Sequence, residues 1–382
     1  MSNQIETRCI HGNSDFSHQD ATKAVSFPIY QTATFGHLGL GQSTGFDYSR
    51  VSNPTRQRLE ETISALEGAC DTVAFGSGMA AVSACFDLFQ SGDHIICSED
   101  LYGGATRLLQ TIGQKNGLIV DFVDTTDVNR IVALLRPATK ALYIETPSNP
   151  MMNITDLRAC AKIAKENDLL LIVDNTFLSP YLQNPIELGA DIVLHSGTKF
   201  LSGHNDTLSG FLCCATQELA DRVRMIAKTT GGILAPFDCW LMLRGVKTLS
   251  IRMERQQENA LKVAQWLTKQ PKISRVFYAG LPEHPGYQVN AQQARGAGSM
   301  ISFRTDSVET AHRVLEKVKM ITFAESLGGT ESLITYPVMQ THCDVPLEMR
   351  ERLGITETLL RLSVGLEHVD DIIADLAQAL EE

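Results

Sequence analysis

The strongest indication of the fold is the stretch LLLIVDNTFLSPYLQNPIELGADIVLHSGTKF, residues 169–200. It contains two short apolar runs, LLLIVD and DIVLHS, separated by a segment with the character of a helix or turn. The first run is apolar at successive positions and not at alternate ones, which is typical of a strand buried on both faces of a sheet. The stretch therefore predicts strands of a largely parallel sheet that helices cover.

The same pattern continues on both sides of this stretch. Further apolar runs are TVAF (72–75), HIIC (94–97), LIVDFV (118–123), ALYIE (141–145) and GFLCC (210–214). Segments with helical or turn character separate them, as expected for repeated strand–helix–strand units. We predict that residues 58–245 form one α/β domain around a mainly parallel sheet.

The pattern changes after the Gly-Gly and Pro of TTGGILAPFD, residues 229–238. A helical stretch over residues 237–269 leads to predicted strands at 275–280, 299–303, 321–326 and 359–366, with helices at 310–319 and 369–380. Strands segregated from helices predict a smaller α+β domain, residues 246–382. Residues 1–57 show little periodicity, and we expect an arm that is either mobile or held by another part of the assembly.

Composition excludes several classes of protein. With 382 residues, 43% hydrophobic and 20% charged, the chain can bury a large core shared by two domains. The formal charge of -11 disfavours binding to nucleic acid or to an anionic membrane surface. No run reaches the roughly 18 uninterrupted apolar residues that a membrane helix needs.

The cysteines point to a reducing compartment. There are nine of them, scattered along the chain with no C-x-x-C spacing, so neither a disulfide framework nor a zinc site is indicated. We therefore expect a cytoplasmic protein. Three histidines near the motifs described below, His195, His204 and His342, lack the spacing of metal ligands, so we expect structural roles and no metal.

Three chemical signals follow predicted strands of the α/β domain, where open α/β sheets place their ligands. Residues 76–79, GSGM, lead from a strand into a helix and could seat a phosphate on backbone N–H groups. Asp174 ends the run LLLIVD, and Lys199 follows the run DIVLHS with Ser196 and Thr198 beside it. Taken singly, these features are better explained as an ordinary turn, a helix cap and a surface lysine.

Together the three signals match one cofactor, pyridoxal phosphate. Its phosphate, its ring nitrogen and its aldehyde need an anion seat, a carboxylate and an amine, respectively. A lysine near apolar strand ends can have its pKa lowered and become a nucleophilic amine. The combination predicts a pyridoxal phosphate enzyme.

The chain resembles the Cys/Met-metabolism pyridoxal phosphate enzymes, the trans-sulfuration family of cystathionine γ-synthase, the cystathionine lyases and methionine γ-lyase. The resemblance rests on motifs that occur in the order of that family, namely YSRVSNPTR, GSGMAA, LYGG, ETPSNP, VDNTF, HSGTKFLSGH, ESLGG and RLSVG. It implies the fold-type I architecture, with a large α/β domain and a smaller C-terminal α+β domain. It also implies a homotetramer built from dimers that share active sites.

The resemblance implies catalytic and cofactor-binding roles for individual residues. Lys199 resembles the lysine that bonds to the cofactor's aldehyde, Asp174 the partner of the ring nitrogen, and Tyr102 the ring that stacks on the cofactor. Asn149 is similar to the amide that reaches the cofactor's ring oxygen. The residues that resemble the phosphate-binding group are Gly78, Met79, Ser196 and Thr198, with Tyr48 and Arg50 reaching across from a neighbouring subunit.

The substrate-binding residues are implied in the same way. Arg361, with Ser326 nearby, resembles the pair that binds the substrate α-carboxylate. Glu325 resembles the acidic residue of cystathionine γ-lyases and γ-synthases that attracts the distal ammonium group of cystathionine. Methionine γ-lyases carry a cysteine two residues after the stacking tyrosine, where this chain has Gly104, so that activity is disfavoured.

These observations predict γ-elimination on cystathionine or a related sulfur amino acid. The alternatives are γ-replacement on an activated homoserine ester with cysteine, as in a cystathionine γ-synthase, and the reaction of a cystathionine β-lyase. A relative that binds an amino acid without catalysis is a further alternative, which the intact Lys199, Asp174 and Arg361 disfavour.

Overall fold

A computed structural model describes residues 3–12, 24–343 and 345–381. Its larger sheet has seven strands, which are β1 (Asp71–Phe75), β2 (His94–Ser98), β3 (Ile119–Val123), β4 (Thr139–Glu145), β5 (Leu170–Asp174), β6 (Ile192–Ser196) and β7 (Gly210–Cys214). The strand order is β1-β7-β6-β5-β4-β2-β3. Strands β2 to β6 are mutually parallel, and β7 runs antiparallel to both of its neighbours. The predicted α/β class and mainly parallel sheet are confirmed.

Helices cover both faces of this sheet. They are α1 (Ile5–His11), α2 (Pro54–Glu67), α3 (Gly78–Phe86), α4 (Gly103–Leu108), α5 (Val128–Leu134), α6 (Leu157–Glu166), α7 (Ser179–Leu182) and α8 (Gln217–Thr230). One apolar core packs α2 and α6 against one face, and a second packs α3 and α8 against the other. Burial on both faces explains why the strands are apolar at successive positions.

Helix α2 shows how local sequence sets the element boundaries. Asn53 precedes it, and the side-chain oxygen of Asn53 accepts a hydrogen bond from the backbone N–H of Thr55 at 3.0 Å. Proline occupies the first helical position, where its missing N–H costs nothing. The helix ends at Gly68, whose φ of 75° is a left-handed conformation that glycine adopts without strain.

The helical stretch predicted over residues 237–269 is two helices, α9 (Pro236–Val246) and α10 (Leu249–Leu267). The break follows Gly245, which packs tightly on Ser202. A Cβ at Gly245 would lie only 2.2 Å from the Ser202 carbonyl oxygen. The carbonyl of Gly245 accepts hydrogen bonds from the Thr248 hydroxyl at 3.0 Å and from Arg252 Nη2 at 3.0 Å. These side chains satisfy a carbonyl at the end of α9 and stabilise the interruption.

The C-terminal part contains a five-stranded sheet. Its strands are β8 (Ile273–Phe277), β9 (Met300–Thr305), β10 (Thr322–Phe323), β11 (Leu333–Thr335) and β12 (Leu359–Ser363), in the order β10-β11-β12-β9-β8. The remaining helices are α11 (Tyr287–Gln293), α12 (Val308–Lys317), α13 (Leu347–Leu353) and α14 (Val369–Leu380). A third apolar core joins this sheet to α10, α12 and α14.

Two features of this sheet differ from the sequence prediction. The strand expected over residues 321–326 is limited to β10, because residues 324–326 leave the sheet and Ser326 has a φ of 90°. Strand β11 was not predicted, since its three residues are too short to show alternation.

Residues 24–53 form an irregular segment before α2. It has isolated bridges such as Thr34 with Tyr48, and it exposes the apolar side chains of Leu38 and Leu40. Across the ranges described above, no helix is long and apolar enough to cross a membrane.

Candidate active site

A cavity of about 210 Å³ lies at the carboxyl ends of β4, β5 and β6. Glu145, the last residue of β4, pairs in register with Asp174, the last residue of β5. Because side chains alternate along a strand, register pairing places these two carboxyl groups on the same face of the sheet. The predicted site residues that line the cavity are Gly78, Met79, Tyr102, Asn149, Asp174, Ser196, Thr198, Lys199, Glu325, Ser326 and Arg361.

The Asp174 carboxylate is held through one of its oxygens. Oδ1 accepts hydrogen bonds from the backbone N–H of Thr176 at 3.0 Å and from the Thr176 hydroxyl at 2.6 Å. No described residue donates to Oδ2. Burial raises the pKa of Asp174, while the two Thr176 hydrogen bonds and the nearby His195 oppose the rise. The arrangement leaves one carboxylate oxygen available to a cationic N–H in the cavity.

The Lys199 amine lies at a partly buried position beside Ser326. It follows β6, and its Nζ donates a hydrogen bond to Ser326 Oγ at 2.9 Å. Burial and the nearby Arg361 lower the pKa of Lys199 to about 8, and Glu325 opposes this shift. No described carboxylate forms an ion pair with it. With that pKa about a tenth of the amine is unprotonated at pH 7, and the unprotonated form is the nucleophile.

The start of α3 forms an anion cradle. Ser77 caps the helix by accepting a hydrogen bond from the Ala80 N–H at 3.1 Å, and the first N–H groups of the helix lie beside the cavity. Gly78 is needed there because a Cβ would lie 2.9 Å from Ser196 Oγ. The Thr198 hydroxyl accepts a hydrogen bond from the Ser209 N–H at 3.0 Å. The cradle thus combines backbone N–H groups with the Ser196 and Thr198 hydroxyls.

Tyr102 stands at the open side of the cavity, and its side chain is 41% exposed. Its backbone N–H donates a hydrogen bond to Glu145 Oε2 at 2.9 Å. A Cβ at Gly104 would lie 2.5 Å from the Tyr102 ring and 2.9 Å from Met79 Sδ. The space that a cysteine side chain would need at position 104 is therefore taken by the tyrosine ring.

Arg361 on β12 brings a buried cation to the cavity. It is only 2% exposed, its Nη1 donates to Asn149 Oδ1 at 2.7 Å, and its Nη2 donates to the Ser326 carbonyl at 3.2 Å. Nε has no partner in the described part of the chain. Burial lowers the pKa of Arg361 to about 10, and Glu145 opposes the shift. A guanidinium with free N–H groups and no carboxylate in hydrogen-bond contact is suited to bind one.

His342, for which a structural role was expected, lies near the cavity, and Glu145, which lines it, was not predicted. His342 Nε2 lies 3.0 Å from the Asn149 carbonyl oxygen and donates to it, which holds the loop that carries Asn149. Burial and Arg361 lower the pKa of His342 to about 4, so this histidine is neutral. Glu145 was missed from the sequence, although it ends the apolar run ALYIE as Asp174 ends LLLIVD.

Tyr48 and Arg50 do not line this cavity. The Arg50 guanidinium lies over the Tyr48 ring, 5.4 Å from its centroid, and donates a hydrogen bond to the Lys228 carbonyl. Their predicted contact with the phosphate of a neighbouring subunit remains a prediction. Within the described ranges, no group of three His, Cys, Asp or Glu residues could hold a metal ion.

A mainly parallel sheet with a lysine, a carboxylate and an anion cradle at its strand ends defines a pyridoxal phosphate enzyme of fold type I. The chain belongs to the family of Cys/Met metabolism PLP-dependent enzymes, whose sequence profile matches residues 6–381. The resemblance inferred from the motifs is confirmed, and pyridoxal phosphate is the cofactor.

Individual relatives carry three different activities. The chain is 46% identical over 378 residues to the cystathionine β-lyase of Lactococcus lactis subsp. cremoris, covering 99% of each chain. It is 49% identical over 361 residues to the cystathionine γ-synthase of Haemophilus influenzae, covering 94% of each chain. The structure of cystathionine γ-lyase from Lactobacillus plantarum complexed with L-serine aligns with a TM-score of 0.96 at 43% identity, covering 99% of this chain and 98% of that one. The chain is thus a trans-sulfuration enzyme, and overall similarity does not distinguish these reactions.

The residues present fit the cofactor. Asp174 Oδ2 is available for the ring nitrogen, and the Lys199 amine is unpaired with any described carboxylate. The missing side chain of Gly78 opens the cradle next to Ser196. These are the three contacts that the ring, the aldehyde and the phosphate require.

Proposed function

We propose that this enzyme cleaves the bond between the γ-carbon and the sulfur of cystathionine and, with one water from solvent, releases cysteine, ammonia and 2-oxobutanoate. The observation that supports cystathionine as the substrate is the Glu325 carboxylate, which lines the same cavity as Lys199 and Arg361. Cystathionine has an ammonium group at each end, and a carboxylate in the cavity wall attracts the one distant from the reacting carbon. Methionine has no such distal group.

Arg361 is proposed to bind the substrate α-carboxylate. Its hydrogen bonds to Asn149 Oδ1 and the Ser326 carbonyl fix the plane of the guanidinium. One N–H on each terminal nitrogen and the N–H of Nε remain for the substrate, so the group can bind a carboxylate in a bidentate manner. This contact orients the α-carbon towards Lys199, which lies on the other side of Ser326.

Lys199 Nζ is proposed to move protons between the carbons of the substrate. Cleavage at the γ-carbon requires removal of the α-proton and then of a β-proton, and one amine held by Ser326 Oγ can reach both positions. When bound, pyridoxal phosphate supplies an electron sink for negative charge at the α-carbon. With the cofactor bound, Asp174 Oδ2 would hold the proton on the ring nitrogen, and Tyr102 would cover the ring and serve as a second acid or base.

Gly104 supports the exclusion of methionine γ-lyase activity. The cysteine of those enzymes has no space here unless the Tyr102 ring moves. Glu325 is equally compatible with γ-replacement, because a cystathionine γ-synthase forms the molecule that a γ-lyase consumes. That reaction is therefore the second candidate.

Product analysis tests the proposal. We would incubate the holoenzyme with cystathionine and, separately, with activated homoserine esters plus cysteine. We expect 2-oxobutanoate and cysteine from cystathionine. Pyruvate and homocysteine would mark a β-lyase and contradict the proposal, whereas cystathionine formed from the ester faster than it is consumed would mark a γ-synthase.

We also propose a homotetramer whose dimers share active sites, and a cytoplasmic location. The exposed Tyr48 and Arg50 support the first proposal, since they belong to a family motif but do not line the cavity of their own chain. The second is supported by the cysteines, since none of them forms a disulfide within the described part of the chain.

A further inference from the structure

Asp100 is a buried carboxylate close to the cavity. It follows β2 by two residues, is only 3% exposed, and does not itself line the cavity. Its Oδ2 accepts hydrogen bonds from the Ser148 hydroxyl, from the Met151 backbone N–H at 3.3 Å and from Asn153 Nδ2 at 3.3 Å. Burial raises the pKa of Asp100 to about 6, and these three hydrogen bonds oppose the rise. The carboxylate is therefore mostly ionised at neutral pH, the form that accepts these bonds best.

The three donors flank Asn149 in the sequence. Ser148 comes directly before Asn149, and Met151 and Asn153 follow it. The Ser148 hydroxyl also accepts the Asn153 backbone N–H at 2.9 Å, so the segment closes around the carboxylate. In addition, His342 donates to the Asn149 carbonyl. The backbone that carries the Asn149 side chain is thus held before and after that residue by one carboxylate.

Asn149 contacts the cation of the site directly. It is 3% exposed, and its Oδ1 accepts a hydrogen bond from Arg361 Nη1 at 2.7 Å. The Ser326 carbonyl accepts the longer hydrogen bond from Nη2, at 3.2 Å. A planar guanidinium binds a carboxylate through two N–H groups only when its plane is aligned with that group. The position of Asn149 Oδ1 therefore governs how Arg361 presents its free N–H groups.

We propose that Asp100 is a positioning residue for the substrate carboxylate: it holds the backbone on both sides of Asn149, and through Asn149 it sets the plane of the Arg361 guanidinium. This inference rests on the role proposed above for Arg361. Each step of the path from Asp100 to Arg361 is a hydrogen bond or a covalent connection within residues 148–153. Loss of the Asp100 carboxylate should therefore weaken the binding of a carboxylate ligand.

The test measures the Kd of the holoenzyme for des-amino methionine by titration calorimetry. This thioether carboxylic acid cannot bond to the cofactor because it lacks an α-amino group. Asp100→Leu removes the acceptor oxygens at similar volume, and we expect Kd to rise at least about fivefold, which corresponds to one hydrogen bond. Asp100→Asn keeps an acceptor oxygen for the three donors and should recover most of the affinity.

A double-mutant cycle separates positioning from a general structural role. If Asp100 acts through Arg361, adding Asp100→Leu to Arg361→Ala should change Kd little, because the path has lost its last member. A general structural role would weaken binding by the same factor in both backgrounds.

Asp375→Leu is the matched control. Asp375 on α14 is 7% exposed, accepts the backbone N–H groups of residues 319–321 at 2.8–3.1 Å, and does not line the cavity. The substitution removes the same kind of contact from another loop. It should lower the free energy of unfolding in urea and leave Kd unchanged.

An unchanged Kd in folded Asp100→Leu, an equal factor in both backgrounds, or an equal loss in Asp375→Leu would overturn the proposal. So would an Asp100→Asn protein that binds as weakly as Asp100→Leu. If Asp100→Leu does not fold, Ser148→Ala takes its place, since it removes one donor to Asp100, and an unchanged Kd in that variant would be equally decisive. Wild-type affinity in Arg361→Ala would instead refute the carboxylate-binding role of Arg361, and this inference with it.

Discussion

Thr176→Val is the substitution that most directly tests how the cofactor carboxylate is held. In the wild type, the Thr176 hydroxyl donates to Asp174 Oδ1 at 2.6 Å and accepts the backbone N–H of Ser196 at 2.9 Å. Valine has nearly the same shape but no hydroxyl. The backbone N–H of residue 176 still reaches Oδ1, so Asp174 keeps one of its two partners.

The expected magnitude follows from the two lost interactions. A hydrogen bond to a charged group contributes about 1.5–3 kcal/mol, which corresponds to about 10- to 150-fold in cofactor affinity. Its loss raises the pKa of Asp174 further, because the bond favours the ionised form. The affinity deficit should therefore be largest at acid pH and shrink as the pH rises. Separately, the unpaired Ser196 N–H costs about 1–3 kcal/mol in the free energy of unfolding of the apoenzyme.

The assay is equilibrium titration of the apoenzyme with pyridoxal phosphate, followed by visible absorbance at several pH values, with urea unfolding of the apoenzyme in parallel. Thr176→Ser is the control, because it restores the hydroxyl and should recover wild-type affinity. The reasoning is refuted if the folded Thr176→Val protein binds the cofactor as tightly as the wild type at every pH. It is also refuted if the serine variant is as weak as the valine variant.

The remaining predictions concern four other residues. Lys199→Ala should abolish turnover yet retain weaker cofactor binding through the phosphate and ring contacts, and wild-type turnover in this variant would contradict the mechanism. In the wild-type apoenzyme, the rate of cofactor capture measured by stopped flow should rise with pH and level off above about 8, because the unprotonated Lys199 amine is the reacting form. Arg361→Ala should raise KM and so lower kcat/KM by about 10- to 150-fold, which corresponds to the free energy of one hydrogen bond to a charged group. An unchanged KM would contradict the role assigned to Arg361. Glu325→Gln should reduce kcat/KM for cystathionine about 1.5- to 5-fold more than it reduces kcat/KM for a substrate without a distal ammonium, since exposed charge pairs contribute about 0.2–1 kcal/mol. Equal losses of kcat/KM on both substrates would count against charge recognition. Finally, mixing inactive Tyr48→Ala and Lys199→Ala subunits should restore activity if the arm crosses an interface, because a hybrid dimer contains one site with both wild-type residues. No recovery of activity would contradict a shared site.

Local pattern was sufficient for the larger sheet. Each of its strands contains a short apolar run. Burial on both faces is the physical reason that the runs of the inner strands lack alternation, whereas the edge strand β3 is only partly buried. The same pattern located Asp174 and Lys199, because a polar or charged residue directly after such a run lies at the carboxyl edge of the sheet. The motifs of the family added the residues that have no local signature.

Residues of the C-terminal part show where local pattern fails. Asn149 and Arg361 are 212 positions apart, and they meet only because β12 is carried beside the loop after β4. The run ITFAES has strand character throughout, yet residues 324–326 turn out of the sheet and bring Glu325 and Ser326 to the cavity. Contacts over such separations depend on packing between elements, which periodicity within one element does not encode.

The amino-acid sequence alone determined the α/β class, the strands of the larger sheet, the cofactor and most of the residues that line its cavity. Hydrophobic periodicity and chemical motifs are local properties of a chain. Tertiary structure alone decided the strand order, the division of the long helix at residues 247–248, and the pairing of Glu145 with Asp174. It also revealed the opposing influences of Asp174 and Arg361 on Glu145. Electrostatic coupling depends on distance and burial in three dimensions, so two carboxyl groups that end separate strands become partners only when the sheet forms.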